Sequence, residues 1–320
     1  MKHSQANRLK IWIEAARPRT WATSVSPVLL ATALAWAHGV VHWGVAALCF
    51  FFALLAQIAS NFGNDYFDYR KGSDKADRVG PRRAVAAGDI SPRAMLAATA
   101  ATLGVACLLG CLLIPVGGWW LIGVGVIIAA AALAYSAGPY PLSYHGLGDL
   151  TVWIFFGLVA VNLSYYVQAL SFDTDVFLCS AATGLLSVNI LIVNNYRDVE
   201  DDRAAGKHTT VVLFGRKTAR TVYLINGILA VILVSAWWMA SWPVGIILPI
   251  IYLYMHVSSY RKLSRLSGRA LNPVLGATAR NQLCFTLLLI ICIVTATLAP
   301  PINSCHDYLS QPLCQCFFLE

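Results

Sequence analysis

The chain has 320 residues, of which 58% are apolar and only 12% are charged, and its mean hydropathy is +0.65. These values exclude an ordinary soluble globular protein and are typical of a polytopic membrane protein. The net charge of +8 is explained by membrane topology and attraction to anionic lipid headgroups, so we expect membrane lipid and no nucleic acid as a partner.

Apolar runs of about 20 residues, the length needed to cross a bilayer, predict an all-α fold. This fold is a polytopic transmembrane helical bundle of about nine spans. The spans are predicted at 20–38, 43–64, 93–114, 118–136, 150–171, 176–196, 221–240, 243–260 and 281–300. Residues 1–19 form an N-terminal segment, 20–300 the transmembrane domain, and 301–320 a tail to which we assign no role.

The 23 Lys and Arg residues orient the chain. They occur only in the N-terminal segment and in the stretches 70–93, 197–220 and 261–280. With nine spans these stretches lie on one side, which the positive-inside rule makes the cytoplasm. We therefore expect a multi-pass protein of the cell (inner) membrane with its C-terminus outside, where oxidation of Cys305, Cys314 and Cys316 is possible.

A short motif occurs twice, each time at the end of a long apolar run. Asn64–Asp68 reads N-D-Y-F-D, and Asn194–Asp198 reads N-N-Y-R-D and is followed by Asp201 and Asp202. Helical spacing places each set of polar residues on one face of its helix. Carboxylates are costly near hydrocarbon, so both clusters indicate a functional site. The matched spacing suggests two related four-helix halves that bring the clusters together across a central cavity.

Two facing acidic clusters without Cys or His ligands favour a hard divalent cation, and Mg²⁺ in proteins typically joins carboxylates to substrate phosphates. The predicted metal ligands are Asp65, Asp68, Asp198 and Asp202. The substrate is then expected to be a diphosphate. Arg82 and Arg83, held between Pro81 and Gly88, are predicted to bind its oxygens.

Four segments carry a family resemblance. Asn64–Asp68 with the following run R-V-G-P-R-R-A-V-A-A-G-D-I-S-P, and the segment Asn194–Gly215, resemble the two aspartate-rich regions of intramembrane aromatic prenyltransferases of the UbiA type. Tyr135–Asp149, which reads Y-S-A-G-P-Y-P-L-S-Y-H-G-L-G-D, and Leu271–Arg280 resemble the bacterial 1,4-dihydroxy-2-naphthoate polyprenyltransferases of menaquinone biosynthesis. The first region departs from a plain D-x-x-x-D pattern, which leaves open whether Asp74 or Asp77 joins the metal shell.

The resemblance implies Mg²⁺-dependent transfer of a polyprenyl chain from its diphosphate to 1,4-dihydroxy-2-naphthoate, with loss of diphosphate and CO₂, to give demethylmenaquinone. Metal ions and arginines would neutralise the leaving group at a site that faces the cytoplasm. The predicted catalytic residues are Asp68, Asp198, Arg82, Arg83 and Tyr135. The predicted substrate-binding residues are Asn64, Asn194, Tyr196, Arg203 and Lys207.

Three alternatives stay open at this point. Arg203 and Lys207 could bind either the diphosphate or the naphthoate carboxylate. The acceptor could be 4-hydroxybenzoate or another aromatic ring. An ion-coupled membrane transporter could also pair acids at a repeat interface, although its acids are usually near the bilayer midplane and not at helix ends beside basic loops.

Overall fold

The computed structural model describes residues 2–72, 80, 82–136 and 138–299. All regular structure in these residues is helical, which confirms the predicted fold class. Fourteen α-helices follow one another within the described chain: α1 Lys2–Ala16, α2 Trp21–Ala37, α3 Trp43–Arg70, α4 Pro92–Cys111, α5 Ile114–Gly117, α6 Leu121–Ser136, α7 Gly148–Val152, α8 Ala160–Ala169, α9 Thr174–Arg197, α10 Val199–Ala204, α11 Thr210–Leu233, α12 Ser235–Ala240, α13 Val244–Arg265 and α14 Asn272–Leu298.

Six helical segments among the described residues are long and apolar enough to cross a membrane. They are Arg8–Ala37, Trp43–Arg70, Pro92–Gly117, Gly148–Ala169, Thr174–Arg197 and Gly268–Leu298. Every one of the nine predicted spans overlaps a helix, but α6, α11 and α13 are shorter or less apolar than this standard requires. The multi-pass character is therefore clear, whereas the count of nine and the two related halves stay predictions.

Helix α9 lies at the centre of the bundle and is buried along most of its length. It packs against α11, α14 and the π-helical segment Trp153–Val159 that joins α7 to α8. A Cβ at Gly157 would lie only 2.5 Å from the Cα of Gly184. The two backbones can approach this closely because both residues lack a side chain, a packing common between membrane helices. The close contact fixes α9, whose last turn carries the second acidic motif.

The polar face predicted on α3 is present, but its first half serves the fold. The Asn61 side chain donates to the carbonyl of Ala16 at 3.0 Å and to Thr20 Oγ1 at 3.1 Å, and Gln57 Nε2 donates to the same hydroxyl at 3.3 Å. These bonds tie α3 to the turn between α1 and α2, in which Arg17 takes a left-handed conformation with φ of 53°. Only the last turns of α3 reach the acidic cluster.

The outward faces of several helices are strongly apolar. Leu108 on α4, Val126 on α6 and Ile247 on α13 each expose 60% or more of their surface. Exposed apolar side chains at this density fit contact with lipid tails and not with water. The core lies between α2, α8, α9 and α14, where Leu30 and Phe285 are fully buried.

Candidate active site

The two acidic motifs meet at one lysine. The Nζ of Lys207 lies 3.9 Å from Asp68 Oδ1 at the end of α3 and 3.9 Å from Asp202 Oδ1 on α10. The two carboxylate oxygens are therefore no further apart than twice this distance. Helices that begin 156 positions apart in the chain, α3 and α10, thus bring their acids to a single ammonium group.

The turn after α10 positions Lys207. Gly206 has a φ of +71°, a conformation that glycine adopts without steric cost. The chain reverses there, so that the Lys207 N–H donates to the Asp202 carbonyl at 2.8 Å. The next residue, His208, donates its N–H to the carbonyl of Tyr144 at 2.8 Å. The loop that carries Lys207 is thereby fixed to the segment between α6 and α7.

Tyr144 contacts two ammonium groups. The Nζ atoms of Lys71 and Lys207 are each 4.8 Å from the centre of its ring, within the range of cation–π attraction. Partial burial lowers the pKa of the Lys71 ammonium, an effect that the charge of Asp68 opposes and the charge of Lys207 reinforces. Sequence reasoning missed Lys71 and Tyr144 as site residues. The signal was present in the Tyr135–Asp149 segment, which contains Tyr144.

A second contact joins that segment to the start of α11. Asp149 Oδ2 accepts a hydrogen bond from Thr210 Oγ1 at 2.6 Å. Ser143 Oγ donates to the carbonyl of Tyr135 at 2.6 Å. A Cβ at Gly148 would lie 3.6 Å from the Tyr135 hydroxyl oxygen. The predicted catalytic Tyr135 therefore lies beside the start of α7, which carries Asp149.

Asp65 holds a loop. Its carboxylate is 99% buried and accepts hydrogen bonds from the backbone N–H groups of Ala84 at 3.0 Å and Val85 at 3.4 Å. This contact places the loop of residues 82–90, including the partly buried Arg83, against the end of α3. Both carboxylate oxygens of Asp65 therefore already accept hydrogen bonds from the loop. A role for Asp65 as a metal ligand stays a prediction.

Asp198 forms a buried ion pair with its neighbour. Both of its oxygens accept hydrogen bonds from the Arg197 guanidinium at 2.6 Å, and only 3% of Arg197 and 5% of Asp198 are exposed. Arg197 also donates to Asn194 Oδ1 at 2.8 Å and to Asn272 Oδ1 at 3.1 Å. Such charge-assisted, bidentate bonds are among the stronger hydrogen bonds in proteins. The predicted residues Asn194 and Asp198 thus belong to a network that joins α9 to the start of α14.

Helix α9 ends at Arg197, and Asp198 caps it with φ of −94° and ψ of 10°. Asp202 is therefore carried by the short helix α10 and not by a continuation of α9, as the single helical face predicted for this motif would require. Asp201 on α10 is exposed. The bend allows Asp202 to face Lys207 while Asp198 stays buried beside Arg197.

Two predicted arginines form surface ion pairs. Arg82 is bonded to Asp89 at 2.8 Å with 65% of its side chain exposed, and Arg203 is bonded to Glu200 at 2.7 Å with 57% exposed. Exposed pairs contribute about 0–1 kcal/mol to stability. The structure does not bring either guanidinium to the carboxylates around Lys207.

The remaining predicted residues are divided between the core and the site. Tyr196 is buried in a hydrophobic cluster, with the Arg216 guanidinium 5.5 Å from its ring centre. Asn64 is partly buried one turn before Asp68. Asp74 and Asp77, which were candidates for the metal shell, lie outside the described residues.

The donor chemistry around Lys207 fits Mg²⁺. Asp68 and Asp202 offer carboxylate oxygens, which hard cations prefer, and they already face a shared positive charge. A divalent cation would take up the same negative charge. Mg²⁺ fits this position because the fold brings the carboxylate oxygens of Asp68 and Asp202, one from each motif, close together.

Known proteins resemble this chain in sequence. Residues 24–275 match the UbiA prenyltransferase family. A 1,4-dihydroxy-2-naphthoate octaprenyltransferase of Mycobacterium tuberculosis is 42% identical over 221 residues, which are 69% of this chain and 74% of that protein. A protein of the same description from Escherichia coli K12 is 40% identical over 228 residues, which are 69% of this chain and 73% of that protein.

The fold has a counterpart among solved structures. A UbiA homolog from Archaeoglobus fulgidus, bound to DMAPP and Mg²⁺, superposes with a TM-score of 0.59 over 88% of this chain and 99% of that one. Its 16% identity makes this a likeness of fold. Because the family match extends over most of the chain and the helical fold is of the same kind, this chain belongs to the UbiA prenyltransferase family.

Proposed function

We propose that this chain transfers a polyprenyl group from polyprenyl diphosphate to 1,4-dihydroxy-2-naphthoate, with release of diphosphate and CO₂, as a step of menaquinone biosynthesis. The observation that carries the proposal is the 40–42% identity to two 1,4-dihydroxy-2-naphthoate octaprenyltransferases over about two thirds of the chain. The convergence of Asp68 and Asp202 on Lys207 supports it, because a diphosphate needs both a metal bridge and basic groups.

Asp68 and Asp202 would hold Mg²⁺ from the two sides, and Asp198 would add its carboxylate from within the Arg197 network. When bound, Mg²⁺ supplies charge neutralisation for the departing diphosphate, as a Lewis acid. Asp65 supports this site indirectly, because its bonds to Ala84 and Val85 position the loop that presents Arg83.

Lys207 and Lys71 are proposed to contact the diphosphate. Lys207 exchanges its contacts with the two carboxylates for a phosphate oxygen, because an ammonium and a divalent cation repel each other at close range. The ring of Tyr144 attracts both ammonium groups and so keeps their Nζ atoms on one side of the site. Negative charge on the leaving group grows toward the transition state, so these cations act mainly on the chemical step.

The acceptor reacts as an electron-rich ring. Departure of the diphosphate leaves an allylic cation on the prenyl chain, which the naphthoate ring attacks without a covalent enzyme intermediate. The ring then loses its carboxylate as CO₂, and the electron pair of the broken C–C bond restores the aromatic ring. Tyr135 is proposed to shield this cation with its ring face. The naphthoate carboxylate needs a basic partner, and Arg83 in the loop held by Asp65 is the residue we assign to it.

The purified protein in detergent or vesicles tests the function. We expect prenylated naphthoate product and diphosphate from 1,4-dihydroxy-2-naphthoate, with activity abolished by a chelator and restored by Mg²⁺. Prenyl donors of several lengths measure chain-length preference, and Asp202→Asn is the inactive control. If 4-hydroxybenzoate is prenylated and 1,4-dihydroxy-2-naphthoate is not, the assigned acceptor is wrong and 4-hydroxybenzoate takes its place. No prenylated product from either acceptor, with Mg²⁺ present, would disprove the function.

A further inference from the structure

A second group of chemically active side chains lies at the other end of α9. His38 follows the last residue of α2, whereas Asp173 and Asp175 stand at the start of α9. The acidic network around Asp198 is at the opposite end of this 24-residue helix, a separation of about 36 Å at 1.5 Å per residue. This cluster is therefore separate from the candidate active site.

The cluster brings three metal-ligand groups close together. Each of the three residues His38, Asp173 and Asp175 offers one ligand atom, and these three atoms lie within 4.8 Å of one another. His38 Nε2 and Asp175 Oδ2 are 3.3 Å apart. Zinc bonds to His nitrogen and carboxylate oxygen are about 2.0–2.2 Å long, so the edge of a zinc tetrahedron is about 3.4 Å. The observed separation matches this edge.

The surrounding contacts orient each ligand. Asp173 Oδ1 accepts from the Thr174 N–H at 3.1 Å, and Asp175 Oδ1 accepts from the Val176 N–H at 2.7 Å, which fixes both carboxylates at the start of the helix. The other ring nitrogen of His38, Nδ1, lies 2.7 Å from the hydroxyl of the buried Tyr165. A histidine that binds a metal through Nε2 normally uses its Nδ1–H in this way, and the bond holds the ring in place.

The two carboxylates give this end of the bundle a negative charge that favours a bound cation. Two carboxylates lie beside one imidazole, and the chain has no Lys or Arg at 20–69 or at 94–196, the stretches that contain all three ligands. About a quarter to a third of the His38 and Asp175 side chains remains exposed, at 27% and 32%. An ion from solvent can therefore reach the cluster.

We propose that His38, Asp173 and Asp175 bind a single Zn²⁺ ion, with water as the fourth ligand. The ion joins the end of α2 to the start of α9, and the Tyr165 hydroxyl connects it to α8. The ion connects three helices of the main core at the end remote from the acidic motifs. The proposal does not depend on the proposed function.

Zinc binding by the full-length protein in detergent tests the proposal, measured by competition with a chromogenic zinc chelator. Excess Mg²⁺ is present throughout to occupy the carboxylates near Lys207. The chain carries Cys305→Ser, Cys314→Ser and Cys316→Ser, so that tail thiols do not contribute zinc ligands. We expect one zinc ion per chain, a rise in the unfolding temperature with zinc concentration, and, with Co²⁺ in its place, the absorption spectrum of a tetrahedral site.

Four variants complete the test. His38→Ala and Asp175→Asn should each weaken zinc binding by at least about 10-fold, and Tyr165→Phe, which keeps all three ligands, should weaken it by about 10-fold. His42→Ala, on the same loop but outside the ligand group, should leave zinc binding unchanged. Equal zinc binding by the parent chain and His38→Ala, or an equal loss in His42→Ala, would overturn the proposal and leave the cluster as a hydrogen-bonded ion pair.

Discussion

The two acidic motifs share the pattern N-x-Y-x-D, but their acids have different binding partners in the structure. At the end of α3, Asp65 is bound by backbone amides of a loop 19 and 20 residues further along the chain. At the end of α9, Asp198 is bound by the guanidinium of the adjacent Arg197. In both motifs a second acid contacts Lys207. This acid is Asp68 in the first motif and Asp202 in the second.

The difference shows two ways to satisfy a buried carboxylate inside a helical bundle. The Asp65 carboxylate accepts hydrogen bonds from neutral backbone N–H groups of a distant loop. The Asp198 carboxylate forms a full ion pair with the adjacent Arg197 guanidinium. In each motif the more buried acid is bound within the fold, by loop amides at Asp65 and by a guanidinium at Asp198, and the other acid contacts Lys207.

The largest expected effect is on the acids that face each other. Asp68→Asn and Asp202→Asn should each lower turnover by about 100-fold or more, because under the proposed function each removes charge that would position Mg²⁺ beside the diphosphate. Initial rates with saturating substrates measure the loss, and size-exclusion chromatography checks the fold. Asp201→Asn changes an exposed acid on the same short helix and should be nearly silent. Near-normal turnover in either facing-acid variant would remove that residue from the site.

The second prediction compares how much a buried contact in each motif contributes to the free energy of unfolding. Arg197→Met leaves the buried Asp198 carboxylate without its guanidinium and should cost about 3–5 kcal/mol. Asp65→Asn leaves loop amides poorly paired and should cost about 1–3 kcal/mol. Thermal unfolding in detergent compares the two. An Arg197→Met protein as stable as the parent would show that Asp198 can be satisfied without the ion pair.

The third effect concerns the loop that Asp65 holds. Arg83 is partly buried there, whereas Arg82 is exposed and paired with Asp89. A lysine cannot reproduce the paired hydrogen bonds of a guanidinium, so Arg83→Lys should raise KM for the naphthoate about 10-fold. Arg82→Lys should stay within about 2-fold because surface pairs are weak. Equal effects in the two variants would show that the loop arginines only set membrane orientation.

The smallest effect is a shift in the titration of Lys71. Its pKa lies below the ordinary lysine value, through burial and through the charge of Lys207, with Asp68 acting the other way. Lys207→Met removes the like charge and should move the pKa of Lys71 upward, whereas Lys217→Met, at an exposed position on α11, should not. The unfolded chain binds this proton more tightly, so the Lys71 contribution to the free energy of unfolding rises with pH between the two pKa values.

The pH dependence of Lys71 labelling by an amine reagent, read by mass spectrometry, measures that shift. The parent protein should react at lower pH than the Lys207→Met protein. Coincident labelling curves would mean that the two ammonium groups beside Tyr144 do not interact.

Local patterns were sufficient for the helices and the membrane class, and they selected the acids that stay the predicted site residues. Apolar runs of bilayer length predicted a helix at each of nine places, and the repeated motif pointed to Asp68 and Asp202 because charge at the end of an apolar run is costly. The motif could not assign different roles to Asp65 and Asp68, since both fall on the same helical face. Nor could it predict the bend at Asp198, which directs Asp202 away from α9.

The sequence by itself determined the helical, multi-pass character of the fold and the positions of the acidic motifs at helix ends, because helix length, hydropathy and residue spacing are properties of neighbouring residues. The tertiary structure decided which groups meet. Lys71, Tyr144 and Lys207 come from three separate segments and form one cluster, and the partners of Asp65 and Arg197 lie on a distant loop and on α14. Such contacts depend on how helices pack, and packing is set by the whole set of buried surfaces and not by any one segment.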